Sequence, residues 1–335
     1  MKDRTGAASG NQYRMYAGRN HMDFRVAIIT GVCRSGKTLV GQLLGSMRNV
    51  EHIDEPWLPM MLPVMQGKGL IDREVARTLL QSFTEELFHD MILLRNTNFR
   101  PKDLSSIWAR KGAPEIFSRL VNLHSRDDVK RYVRDNNSVL LYNLAEVMPY
   151  LSFLIEAFPR CKIIHVVRNG LDVALSIADK QWFSDAQLKN PRNNLLFREY
   201  RNPDSKIKYF LPWWLREGDS ESFLNMGDFA RGVCYWRSLL EQSQGDIKQL
   251  KSKKPRIYRE VKYEELVRDP AQVLDDLADF LDVAPSEQTA SVRATLEGQK
   301  TVSHPTYPIG QVPESEKKCV IKMLDLFDYP TSMFK

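Results

Sequence analysis

Cysteine is scarce in this chain of 335 residues: Cys33, Cys161, Cys234 and Cys319 are its four, far apart and without Cys-x-x-Cys or Cys/His ligand spacing. That excludes a disulfide framework and a structural zinc site, and marks the four as reduced, mostly buried thiols. Long apolar runs are missing too. Residues 1–22 are polar, with Gly, Ser, Asn and Arg but no hydrophobic stretch of a secretory signal, and read as a flexible leader. No segment approaches membrane-spanning length, so the chain is expected to have no membrane span and a cytoplasmic location. Internal repeats and low-complexity tracts are absent from the sequence. Charge is not concentrated either. The net charge is +6 with a pI near 9.0, and the basic residues are scattered. This favours a nucleotide or an acidic small substrate and gives no reason to expect nucleic acid. The hydrophobic content of 43% is ordinary for a globular core and excludes disorder.

What the chain does have is Gly31-Val32-Cys33-Arg34-Ser35-Gly36-Lys37-Thr38, set between two apolar segments. Before it, Val26-Ala27-Ile28-Ile29 has the β-branched character of a buried strand; after it, Leu39-Val40-Gly41-Gln42-Leu43-Leu44 has helical spacing. Glycines at both ends let backbone N–H groups crowd round an anion, and the helix that follows adds its unpaired donors and positive dipole end. Lys37 is placed to reach a terminal anionic group. The spacing matches G-x-x-x-x-G-K-[ST] literally, which fixes a phosphate and leaves the nucleotide open.

Further α/β units follow. Val50 to Asp54 reads as a second strand ending in Glu55-Pro56-Trp57, and Ser138 to Tyr142 as a third. Leu151 to Phe158 reads as a helix, Cys161 to Arg168 as the strongest buried strand, and Leu171 to Ala178 as a helix. Pro255 to Tyr263 forms a last strand, and Asp269-Pro270 starts a helix with an apolar face of Val273, Leu274, Leu277, Phe280 and Leu281. Strands alternating with helices predict an α/β fold: a central parallel β-sheet flanked by helices, with its ligands beyond the C-terminal strand ends. The loop, Glu55 and Arg168 all fall at that edge. Residues 60–135, largely helical, and residues 181–245, rich in Trp, Phe and Arg, are expected as helical insertions over the binding edge. Trp182, Trp213, Trp214 and Trp236 serve there either as core or as the wall of an acceptor pocket.

Arg168 at a strand end and Ser176 two turns into the next helix can converge on one anion, through a guanidinium fork and a hydroxyl. That makes a second phosphate site. The segment from Val167 to Ser176 closely resembles the one that holds the 3′-phosphate of 3′-phosphoadenosine 5′-phosphosulfate (PAPS) in sulfotransferases. Arg34-Ser35-Gly36-Lys37-Thr38-Leu39 resembles the 5′-phosphosulfate loop of that family, with Lys37 where Ser or Thr is more usual. Tyr263-Glu264-Glu265-Leu266 is similar to its Tyr-Glu-(Asp/Glu)-Leu segment, and residues 324–329 are similar to its last helix. The resemblance runs discontinuously over residues 25–330. It implies a P-loop nucleotide-kinase-like fold and a single sulfotransferase domain over residues 23–335, with residues 60–135 and 181–245 forming the acceptor side. Arg34, Ser35, Gly36, Lys37, Thr38, Leu39, Arg168, Ser176 and Tyr263 would bind PAPS.

Sulfuryl transfer to a hydroxyl or amine needs donors on the leaving phosphate and a base for the acceptor's proton. Lys37 suits the first need. Glu55 suits the second, as a Glu in this region looks like the proposed base of the carbohydrate-type members; Asp54, His52, His89 and His124 are its rivals. The residues at 298–310, with Lys300 and His304, are candidates for a lid. The acceptor is expected to be a small molecule or a glycan. The alternative reading of the loop is an ATP-dependent P-loop kinase acting on a small molecule, which needs Thr38 and a strand-end Asp to hold magnesium. Asp54 is the only candidate for that Asp, so no metal is expected.

Overall fold

The computed structural model describes residues 24–101, 103, 106–190, 196–297 and 306–334; the leader expected over 1–22 lies outside them, as do Lys300 and His304. The strands are β1 (Arg25–Gly31), β2 (Val50–Asp54), β3 (Val139–Ala145), β4 (Lys162–Val167), β5 (Phe197–Arg201), β6 (Lys208–Pro212) and β7 (Tyr258–Lys262). Five of them form one sheet in the order β2-β3-β1-β4-β7, and every pairing in it is parallel. β5 and β6 make a separate antiparallel hairpin. In the main sheet β1 has β3 on one side and β4 on the other, so the chain's winding reverses at β1. The crevice beyond such a reversal is where open parallel sheets take their ligands.

Strand three runs on past its expected end at Tyr142. Its parallel register with β1 carries it to Ala145, opposite Gly31. The polar Asn143 is accommodated because its side-chain amide donates to the Asp54 carboxylate on β2. The last strand is shorter than expected, and the chain turns into a short helix at Tyr263 instead of keeping that residue extended.

Both sheet faces are buried, which explains why the inner strands β1, β3 and β4 read as largely apolar runs. Ile28, Tyr142 and Ile163 point to one face, and Ile29, Leu141 and Ile164 to the other. α1 (Lys37–Gly45) covers the second face with Val40, Leu43 and Leu44. α2 (Trp57–Gly67), α3 (Arg73–Ile92), α4 (Ala113–Asn122) and α5 (Arg126–Asp135) make up residues 60–135. Of these, α3 turns Leu80 and Phe88 into the core of the first face, its start fixed by Asp72 accepting from Glu74 and Val75 N–H. α4 closes the outer edge of β2: the buried Arg119 and Lys111 meet the buried Glu51, and Lys111 Nζ also donates to the Val50 carbonyl. Arg110 donates to the His52 carbonyl, so the open edge of the sheet is capped by side chains.

α6 (Leu151–Ala157), α7 (Gly170–Asp179), α8 (Asp185–Lys189) and α9 (Ser220–Leu224) lead to the long α10 (Asp228–Lys253). α10 lies directly on α7: a side chain at Gly232 would stand 2.9 Å from the Ala174 carbonyl oxygen, so only glycine allows this approach. α11 (Tyr263–Arg268) and α12 (Pro270–Leu281) follow, and α12 starts where expected, with Asp269 capping Gln272 N–H and Leu274, Leu277 and Leu281 buried on the second face. α13 (Glu287–Glu297) and α14 (Glu314–Leu326) complete the chain. No helix among the described residues is long and apolar enough to cross a membrane.

Candidate active site

The strand-loop-helix unit has the geometry its glycines demand. Gly36 caps α1 with a φ of 97°, in the left-handed region, and a Cβ there would stand 2.4 Å from the Tyr263 ring. Arg34 also lies at positive φ, 66°. α1 has no side-chain cap and no acidic residue in its first turn, so its N-terminal donors are not neutralised by the chain itself. Lys37 is buried and folds back to donate from Nζ to the Val32 carbonyl at 2.9 Å. Ser35 is fully buried, and its Oγ has no hydrogen-bond partner among the described residues. Thr38 is exposed and Leu39 half-buried.

The residues expected to hold a second anion gather against this loop. Arg34 Nε donates to Ser176 Oγ at 2.9 Å, and Arg168 Nη1 donates to the Arg34 carbonyl at 3.0 Å. The Arg168 guanidinium lies 4.4 Å from the centre of the Tyr263 ring, the ring that packs on Gly36. Expected as a ligand of the loop's own anion, Arg34 instead sends its side chain to the second set. Arg168 Nε is buried without a partner among the described residues. The turn that carries Arg168 is held from below: Trp236 Nε1 donates to the Arg168 carbonyl at 3.2 Å, and the Asn169 N–H donates to Glu264 at 3.0 Å.

A cavity of about 310 Å³ opens beside the loop. Trp57, Trp182, Trp213 and Trp214 wall it, Cys33 brings the loop to it, and Glu55 and Glu146 contribute carboxylates. Trp236 is not part of this wall; it fills the core under Gly170, where a Cβ would stand 2.4 Å from its ring. Glu55 is exposed, just past β2, at a φ of 45°. Glu146, which the sequence reading missed, is just past β3 at a φ of 63° and accepts the Cys33 thiol at 3.6 Å. Burial pushes the Glu146 carboxyl above the ordinary carboxylate range, although a hydrogen bond from Tyr235 and the Lys37 charge pull the other way. Burial, with the Glu146 and Glu55 charges, pushes the Cys33 thiol up to about 12, so the loop cysteine is an inert thiol. The sequence offers one partial signal for Glu146, a carboxylate a few residues past an apolar strand; only the strand pairing carries β3 on to Ala145 and sets Glu146 beside the loop.

The histidine rivals are placed elsewhere. His52 is buried between β2 and α1, so close that a Cβ at Gly41 would stand 2.4 Å from its Nε2, and burial lowers its pKa well below the usual value. His89 is buried on α3 beside Asp90 and His124 is exposed ahead of α5; neither lines the cavity. Asp54 is bound to Asn143 and lines a different cavity, at the β2 edge. Among the described residues no group of three or more His, Cys, Asp or Glu is arranged to hold a metal ion.

A family model described as a sulfotransferase domain matches residues 25–306. No curated protein matches the chain. Among solved structures, the chain is similar to the sulfotransferase domain from the Synechococcus PCC 7002 olefin synthase, at 16% identity over 95% of this chain and 99% of that one, with a TM-score of 0.45. It is also similar to sulfotransferase STF9 from Mycobacterium avium, at 12% identity over 92% and 78%, with a TM-score of 0.47. A sulfotransferase from Alicyclobacillus acidocaldarius is 15% identical over 92% and 98%, with a TM-score of 0.39.

Proposed function

The chain belongs to the sulfotransferase family, and from that premise we propose that it moves a sulfuryl group from PAPS to a hydroxyl or amine of a small acceptor held in the tryptophan-walled cavity. Family membership favours sulfuryl transfer over the kinase reading that the loop alone allowed. PAPS supplies an activated sulfuryl group whose S–O bond to phosphate breaks as the new bond to the acceptor oxygen or nitrogen forms.

The observation that carries the reading is the joining of two anion sites by direct contact. The loop and uncapped α1 N-terminus suit a 5′-phosphosulfate, and Arg168 with Ser176, linked through Arg34, suits a ribose 3′-phosphate. The partnerless Arg168 Nε and Ser35 Oγ fit such a ligand, since buried polar groups are normally paired. Tyr263, stacked between Gly36 and Arg168, supplies a flat apolar face between the two sites.

Each residue then has a task. Lys37 exchanges its bond to the Val32 carbonyl for one to the leaving phosphate and neutralises the charge that develops there. Arg34, Arg168 and Ser176 orient the nucleotide. The proton released by the acceptor goes to a carboxylate of the cavity, Glu55 or Glu146. Of the two, Glu146 is favoured, because it lies against Cys33 of the loop and burial raises its proton affinity. No metal ion has a part in this scheme.

Calorimetry with 3′-phosphoadenosine 5′-phosphate (PAP) against ATP-Mg²⁺ tests the reading. Tight binding of PAP with weak binding of ATP-Mg²⁺ is the expected result; the reverse order overturns the proposal.

A further inference from the structure

We propose that the cavity selects ring-bearing acceptors without negative charge, and prefers those that carry a cation. This rests on the reading of the cavity as the acceptor site. The four tryptophans, Trp57, Trp182, Trp213 and Trp214, offer aromatic surface, and the two ionisable side chains with oxygen acceptors, Glu55 and Glu146, are both acids. No Lys, Arg or His lines the cavity among the described residues. Two cations stand close by without lining the cavity: Lys37, which donates to the Val32 carbonyl, and Lys68, 5.6 Å from the centre of the Trp213 ring.

Charge discrimination follows from this lining. An aromatic face attracts a cation through its quadrupole, and a carboxylate adds a charge-assisted hydrogen bond. An anion in the same space meets two acids and no cation in the lining, and the apolar walls around Glu146 weaken the screening of that repulsion. A sulfuryl donor held on the loop, which meets the cavity at Cys33, adds further negative charge beside it during turnover.

The wall is also rigid enough to discriminate. Trp214 packs edge-on against Phe183 at 5.4 Å, Phe223 at 5.7 Å and Tyr235 at 5.3 Å between ring centres, and Trp213 packs against Tyr150 at 5.6 Å. These contacts fix the Trp213 and Trp214 rings before any ligand arrives, so little ordering of that side of the wall is left to oppose binding. The polar exception is the inner end, where Glu146 lies against Cys33. A hydroxyl or amine group is accommodated there, with the ring against the tryptophans.

The test is calorimetric titration with three compounds of one shape, naphthylmethylamine, naphthylmethanol and naphthoate, each with and without saturating PAP. The amine is expected to bind more tightly than the alcohol, and the alcohol at least about tenfold more tightly than naphthoate; an alcohol that binds as tightly as the amine overturns the cation preference. Glu55→Lys should shrink or reverse that difference. Equal affinities, preference for naphthoate, or no binding of any of the three overturns the proposal. Failure of PAP to bind overturns the donor reading instead, and the order without PAP still decides the charge selection.

Discussion

Glu264 accepts the backbone N–H of Asn169 at 3.0 Å and, through its other oxygen, the hydroxyl of Tyr329 at 2.8 Å. One carboxylate thus ties the turn that presents Arg168 to the segment after α14. The neighbouring Tyr263 stacks on Arg168 from the same short helix, α11. Glu264→Ala leaves that N–H without its acceptor and loosens the turn. PAP affinity is expected to fall about tenfold or more, while adenosine monophosphate, which lacks the 3′-phosphate, loses much less. Calorimetry with the two ligands reads the difference, and Glu264→Gln, which keeps an acceptor oxygen, should recover part of it. Equal losses for both ligands would mean that Glu264 supports the fold and not the second anion site.

Removing the guanidinium itself should have a more selective effect. Arg168→Ala is expected to weaken PAP by about 1.5–3 kcal/mol, the range for a hydrogen bond to a charged group, with a much smaller effect on adenosine monophosphate. If both ligands weaken alike, Arg168 does not see the 3′-phosphate.

The two carboxylates of the cavity separate by pH and by rate. Glu146→Gln is expected to lower kcat by about 10²- to 10⁴-fold with PAP binding retained, as loss of a general base does. Because burial raises the Glu146 pKa, the base is protonated and inactive until the pH exceeds that raised value. The acid limb of the wild-type rate profile should therefore lie above the ordinary carboxylate range. A full-rate Glu146→Gln enzyme moves the role to Glu55, for which Glu55→Gln is the matching variant.

Stability has its own buried charge cluster, at the outer edge of β2. Burial tends to raise the Glu51 pKa, but Arg119 and Lys111 pull harder and hold it below the usual range. The sign follows: the contribution of Glu51 is present above its unfolded-state pKa and is lost as the pH falls through the depressed folded value. Glu51→Ala leaves two buried cations with only the more exposed Glu115 as a carboxylate partner and should cost about 3 kcal/mol in urea unfolding at neutral pH. Its stability should also fall less steeply in acid than that of the wild type. A variant as stable as the wild type would show that the buried cations find other partners.

Local pattern determined a good deal here. The loop from Gly31 to Thr38, the Arg168 strand end and the Asp269-Pro270 helix start were all legible, because strand and helix periodicity and the steric demands of glycine and proline act within a few residues. The parallel sheet followed from their alternation. What local pattern left open was which strand lies beside which. Glu146 was missed because its nearness to Cys33 exists only when β3 pairs with β1, bringing Ala145 opposite Gly31. His52 was kept as a rival base because nothing nearby in sequence shows that it lies under Gly41 and Gly45. Arg34 was given to the loop's own anion, yet its side chain reaches Ser176, 142 positions along the chain. Glu264 stands in a segment legible in the sequence, but its partners, Asn169 and Tyr329, are set only by the fold. The sequence by itself determined the anion-binding parts; the order of the strands decided which carboxylate and which arginine meet at them, since contacts between distant segments depend on pairing and packing that no local periodicity encodes.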